Sequence, residues 1–235
     1  MSKTVHPYVA GERRDLVAVL ERLNEEQWAA PSLCAGWRVR EVVAHTTTAY
    51  RYSLPKILFA LLKARGNINR AADACARADT RTLTDAELLA SLRANIEHPW
   101  QPPRGGPAGT LWHEVIHGLD ITVALGLDRR VPDERISMML EALQPAQVDF
   151  FGADLSGVRL QADDRDWSYG TGSVVTGAAQ HLLLVLTGRM VPPGLLSGEQ
   201  SARFTAPVPS SPPGPPPDAP AAHDRNGRAA RRPRR

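Results

Sequence analysis

The sequence predicts a mainly α fold: four long helices within residues 1–150, a small α/β segment over 151–197, and a disordered tail over 198–235. Three observations carry this reading. Apolar residues recur at helical spacing through the first 150 positions, with no strand-like alternation. Alternation at period two begins only at GVRLQAD (157–163). Beyond Ser197 the composition collapses into Pro, Ala, Ser and Arg, with nine prolines after residue 199, and such a segment cannot supply a core.

Taken in order, the first periodic segment runs from about Val5 to Trp28. It places Leu16, Val19, Leu20 and Leu23 on one stripe, with Arg13, Arg14, Asp15 and Glu21 as the charges between them. After a break at Pro31 and Gly36, a second helix begins around Arg38, and Pro55 must kink or end it before KILFALLKA continues. Thr84 and Glu87 form a capping box ahead of ELLASLRANI, and Pro99 to Pro107 reads as a loop. The helix from about Thr110 to Leu125 is apolar over most of its circumference, with Trp112, Ile116, Leu119 and Val123 as one core stripe. Pro132 suits the first position of a further helix towards Pro145. GVRLQAD and DWSY (166–169) then read as short strands, and Gly170 and Gly172 lead into a helix over about Ser173 to Thr187.

The net charge of +3 divides unevenly. From Glu199 onward there are seven arginines against three carboxylates, which leaves residues 1–198 at −1. The folded body therefore shows no basic excess of the kind that announces a nucleic-acid surface. The two cysteines, Cys34 and Cys75, form no CxxC pair and no secretory h-region stands near the start, so a reducing, cytoplasmic setting is expected. The longest apolar runs, ILFALL (57–62) and HLLLVL (181–186), fall far short of the roughly 20 residues a bilayer requires, and no membrane partner is expected.

The stretch WHEVIHG (112–118) carries the chemistry. His113 and His117 stand four apart, on one helix face, so both imidazoles can turn towards a single ion. A protein metal site needs a third donor, and the candidates are His6, His45, His98, His181, His223 or a carboxylate. His45 is the strongest, because it lies inside a helix on the shoulder of the apolar face that carries Val42 and Ala49, where an unpaired imidazole is costly. Asp120, one turn after His117, is placed to accept a hydrogen bond from a ligating imidazole; its simpler reading is a helix-surface acid. Glu114 steps about 100° around the helix from His113 and serves as a base or faces solvent, the latter being the simpler expectation. Cys34, Trp37 and Trp167 are expected to pack.

His-Glu-x-x-His also spells the helix of a zinc peptidase. The setting is poor for one: Val123 stands where a metzincin's third histidine belongs, Glu134 or Glu141 would have to act as a distant carboxylate ligand, and no strand precedes residue 150 to align a peptide.

Three segments in order resemble the mycothiol-dependent maleylpyruvate isomerase family, a branch of the DinB/YfiT-like metal-binding four-helix bundles. They are PSLCAGWRVREVVAH (31–45), WHEVIHGLDITVALG (112–126) and DWSYGTGSVVTGAAQHLLLVLTGR (166–189). The resemblance spans about residues 5–190. It implies a DinB-like bundle, metal ligands at His45, His113 and His117, and mycothiol as thiol cosubstrate. It also implies that Arg189, whose simpler role is to stabilise a helix C-terminus, binds an anionic part of substrate or thiol. In some relatives a glutamate takes the place of His113. The expected ion is Zn²⁺, though an all-imidazole set also suits Ni²⁺ or Fe²⁺. A thiol at such a cation loses its proton near neutral pH and becomes the nucleophile of an isomerase or an S-transferase acting on a small electrophile. The rival expectations are a zinc peptidase and a bundle that holds metal without catalysis. Substrate identity and oligomeric state are left open.

Overall fold

The computed structural model describes residues 5–102 and 105–209. The helices are α1 (His6–Leu20), α2 (Glu25–Ala29), α3 (Val39–Arg51), α4 (Leu54–Lys63), α5 (Ile68–Asp79), α6 (Asp85–Ala94), α7 (Gly106–Thr122), α8 (Asp133–Glu141) and α9 (Pro145–Phe151). Strands β1 (Val158–Ala162), β2 (Ser168–Gly170) and β3 (Ser173–Gly177) follow, then α10 (Ala179–Leu186) and a 3₁₀ turn at Ser201–Phe204. Among the described residues, no helix is long and apolar enough to cross a membrane.

Four helices close a ring: α1 packs on α6 and α7, and α3 packs on the same two. Their facing stripes bury Leu16, Leu20, Val39, Val42, Val43, Leu88, Leu92 and Ile121. A second core lies on the other side of α7, where Leu111, Trp112, Val115, Ile116 and Leu119 meet α8, the sheet and the leucines of α10. Helix α7 thus serves two cores, which is why its sequence is apolar nearly all round.

Local chemistry sets the helix ends. Thr84 accepts from the Glu87 amide while the Glu87 carboxylate takes the Thr84 amide, the expected capping box. Arg38 and Glu41 start α3, with the Glu41 carboxylate accepting from the Arg38 amide and guanidinium. Pro55 ends the α3 trajectory and sits in the first turn of α4.

Three expectations need correction. The single helix expected over 5–28 is two, because the Asn24 side chain accepts the Gln27 amide and Gln27 returns the bond, starting a fresh helix there. The helix expected from Ser173 begins only at Ala179. Residues 173–177, with Val174, Val175 and Thr176, instead pair parallel to β1, giving the order β2-β1-β3. The tail expected from residue 198 begins too early: Phe204 is buried, Val191 and Thr205 form a bridge, and the Ala206 amide donates to the Val191 carbonyl. One aromatic anchor outweighs the poor composition around it. Residues 210–235 of the expected tail lie outside the described residues.

A buried ion-pair group ties α1 to the C-terminal side. The Glu12 carboxylate, fully buried, accepts from Arg129 and from Arg135, and Arg135 also reaches Asp15. Gly11 and Gly118 make room for it, since a Cβ at Gly118 would lie 2.7 Å from Arg129 Nη1 and one at Gly11 2.6 Å from Arg135 Nη2.

Gly172 adopts φ +127°, and a Cβ there would lie 2.0 Å from the Gly157 carbonyl oxygen. Gly172→Ala is therefore expected to destabilise the fold by about 1–3 kcal/mol or more, read as a lowered midpoint in urea unfolding. An unchanged midpoint would mean that the turn into β3 is not what fixes this strand.

Candidate metal centre

The centre is built where α3 crosses α7. Buried Val42, Val43 and Ala44 hold α3 against the bundle core and set the angle at which His45 leaves it. From α7, His113 and His117 approach from one face. Donor atoms of the three rings all lie within 4.8 Å of one another, and His113 Nε2 stands 3.2 Å from His45 Nε2. The ring centroids are 4.7 to 5.2 Å apart. Trp37 closes one side, 5.1 Å from the His45 ring, and Trp100 another, 5.2 Å from His113. Among the described residues, no other group of three His, Cys, Asp or Glu donors converges in this way.

Charge and burial prepare these rings. Burial first, then the neighbouring imidazoles and Arg189, hold His45 well below the ordinary histidine value. Burial also lowers His117, to about 4, although Asp120 pulls the other way. Both rings are neutral near neutral pH, the form that offers a lone pair to a cation. Asp120 fixes one tautomer. Burial opposes its ionisation, but the Arg189 charge and the His117 hydrogen bond outweigh that and keep it below the usual carboxylate range. An ionised carboxylate only accepts, so the 3.0 Å contact requires His117 Nδ1 to donate and leaves Nε2 free for the cluster.

Arg189 clamps this acid with two bonds, Nε to Oδ1 at 3.1 Å and Nη2 to Oδ2 at 3.0 Å, while Nη1 donates to the Thr187 carbonyl. Asp120 is thus fully buried, and the reading of it as a helix-surface acid is overturned: α10 and the segment after it cover that face of α7.

The expectation that Glu114 faces solvent is also overturned. The step around α7 from His113 points into the α1 side of the bundle, where Arg13 donates Nε to Glu114 Oε1 at 3.0 Å and Nη2 lies 2.9 Å away. Tyr50 adds its hydroxyl to the same oxygen at 3.3 Å. Burial resists the charge, but His113 and Arg13 outweigh it and Glu114 stays below its ordinary value. Arg13 Nη1 donates to the carbonyls of Asn95, Ile96 and His98. His113 Nδ1 is buried 3.9 Å from Glu114 Oε1, beyond hydrogen-bond reach of it.

Other candidates stay apart from the cluster. His6 contacts the Glu97 carbonyl, His98 accepts the Trp100 amide, and His181 lies beside Gln180. His223 lies outside the described residues. The Cys34 thiol is pushed up to about 12 by burial, with the Asp120 charge adding, so it is inert as a nucleophile near neutral pH. Trp37 is buried and donates its indole N–H to Asp73 at 2.8 Å.

Sequence reasoning missed Arg13, Tyr50 and Trp100. For Arg13 a signal existed: it shares the α1 stripe of Val9, Leu16 and Leu20, where a surface charge does not belong. Tyr50 and Trp100 carry no comparable mark, since each reaches the site only through the crossing of α3 with α7 and the course of the loop before α7.

A helical bundle that brings three imidazoles from two crossing helices to one interior point defines a class of metal-competent bundle proteins. Residues 9–122 match the family model for the mycothiol maleylpyruvate isomerase N-terminal domain. Residues 9–122 thus carry the N-terminal domain of that family, just under half of the chain. A crystal structure of the mycothiol-dependent maleylpyruvate isomerase is similar in fold, with TM-score 0.57 at 14% identity, covering 88% of this chain and 95% of that one. The structure of a histidine-to-alanine mutant of that isomerase gives TM-score 0.54 at 14% identity with the same coverage. No curated protein matches the sequence.

Glu114→Ala leaves the Arg13 guanidinium buried without a counter-charge and is expected to cost about 3–5 kcal/mol, seen as a fall in unfolding free energy. Arg13→Met combined with Glu114→Met should recover most of that loss. A double variant as unstable as the single one would show that the hydrogen bonds of Arg13 to the segment after α6, not the charge balance of the pair, hold the bundle.

Proposed function

We propose that this chain is a metal-dependent enzyme that uses mycothiol to isomerise, or transfer sulfur to, a small electrophile, with His45, His113 and His117 holding the cation. One observation carries the proposal: three imidazole donors, two of them held neutral by burial, converge within 4.8 Å in a chain that carries this family's N-terminal domain. The donor set fits a divalent ion, because His45 and His117 are already in the neutral, ligating form and His117 is pre-oriented by Asp120. A divalent ion held there supplies Lewis acidity that favours the thiolate form of a bound thiol. Zn²⁺ is the ion we favour.

The chain's own groups orient and exclude. Asp120 and Arg189 keep His117 in one tautomer, and their pairing supports a positioning role for Arg189 in place of direct contact with substrate. Glu114, taken by Arg13, supports the bundle and acts on His113 only through its charge. Trp37 and Trp100 limit water beside the rings. In the isomerase reading, the mycothiol sulfur adds to a conjugated carbon, the former double bond turns, and sulfur leaves with its electron pair as the double bond re-forms. In the transferase reading, the adduct takes up a proton and keeps the sulfur. The unpaired thiols of Cys34 and Cys75 suit a cytoplasmic setting. A peptidase reading is disfavoured because its base, Glu114, is bound to Arg13, and no strand among the described residues precedes β1.

Purified protein should hold about one equivalent of divalent metal, lost in His45→Ala with the helical circular-dichroism signal retained. Unchanged metal content in that variant would remove His45 from the site. Calorimetric titration should show mycothiol binding that disappears after chelation, and binding indifferent to the metal would overturn the thiol mechanism. Asp120→Asn should weaken metal affinity by about 10–100-fold, measured by competition with a chromogenic chelator.

A further inference from the structure

Helix α4 behaves unlike the rest of the bundle, because none of its residues is buried. It packs on α5. At about 100° per residue, its half-buried side is Ile57, Ala60, Leu61 and Ala64. The opposite sector, about 140° wide by the same geometry, holds Leu54, Leu58, Leu62, Pro55 and Phe59. Of these, Leu54 is 75% exposed, Leu58 64%, Phe59 60% and Leu62 76%. Ile68, at the start of α5, extends the apolar surface. A soluble surface rarely keeps so many large apolar side chains in water without a use for them.

The charges beside this sector are all of one sign. Between Tyr52 and Ile68 stand Lys56, Lys63 and Arg65, and no carboxylate. The chain has three lysines in all, and two of them fall on this short helix. Both border the apolar sector beyond Phe59: Lys56 Nζ lies 3.6 Å from the Tyr52 ring centroid and Lys63 Nζ 5.5 Å from that of Phe59. Their stems can lie along apolar surface with the ammonium at its edge.

We propose that α4 is a peripheral docking helix for an anionic lipid bilayer, lying in the headgroup region with Leu54, Leu58, Phe59 and Leu62 inserted and Lys56 and Lys63 against lipid phosphates. The combination of an outward apolar sector with a cationic border is what an interfacial helix requires. Charge selects this occupant over a second copy of the chain, because a symmetric contact through α4 would set two cationic helices together with no acid in the segment to answer them. A helix this short binds weakly and reversibly by itself. The expectation that no membrane takes part rested on span length, which says nothing about association at the surface.

Full-length protein should sediment with vesicles of phosphatidylglycerol and phosphatidylcholine, at least roughly tenfold more tightly than with phosphatidylcholine alone, and less at high salt. Leu58→Glu with Leu62→Glu should weaken that binding by about tenfold or more while leaving thermal unfolding unchanged. Phe59→Trp should give a blue-shifted emission component with the anionic vesicles, and this reading stands if the double variant fails to fold. Lack of sedimentation, or an unshifted Phe59→Trp signal, overturns the proposal. So does binding that survives the leucine substitutions but vanishes on deleting residues 210–235, which would assign it to the arginines of that segment alone. A concentration-dependent dimer in light scattering that the same leucine substitutions abolish would make the occupant a second copy.

Discussion

Helix α7 is enclosed by α1 and α3 on one side and by α8 and α10 on another, so its buried carboxylates and imidazoles draw their partners from different elements. Glu114 takes Arg13 from α1, Asp120 takes Arg189 from beyond α10, and His113 and His117 meet His45 from α3. These attachments hold the bundle and the C-terminal segment to one another at the helix where the chemistry lies. A buried pair of this kind adds little net stability compared with well-packed apolar groups, but losing one member is costly, so the arrangement specifies which elements meet.

The same enclosure prepares the site. Burial lowers His45 and His117 by penalising their charged forms, and Asp120 then determines which nitrogen of His117 remains available. The two carboxylates of α7 stay ionised because each has an arginine, and neither is left to compete for a proton with the rings. Site and scaffold are thus built from the same side chains.

Helix α4 shows the opposite balance. The apolar residues of its outer sector, Leu54, Leu58, Phe59 and Leu62, stay exposed, and Lys56 and Lys63 have no acid on the same helix. A helix hairpin attached to the bundle mainly through α5 can keep such a surface because bundle stability does not depend on burying it.

Much was legible in the sequence by itself. Helical periodicity predicted the bundle, Thr84 and Glu87 marked the start of α6, and four-residue spacing put His113 and His117 on one face. These are local properties, fixed by backbone geometry within one or two turns. Helix boundaries at Asn24 and at Ser173 were not legible, because a capping bond and a parallel strand pairing overrode the apolar pattern. Nor could local pattern show where side chains from distant segments meet. A carboxylate on an apolar helix reads as solvent-facing until Arg13, 101 residues away in the chain, is placed against it, and Asp120 reads as a surface acid until Arg189 arrives from 69 residues on. Residue types and spacings determined which groups were available to bind an ion, and only the tertiary packing decided which were buried, paired and neutral, because desolvation and ion pairing depend on distances that sequence separation does not encode.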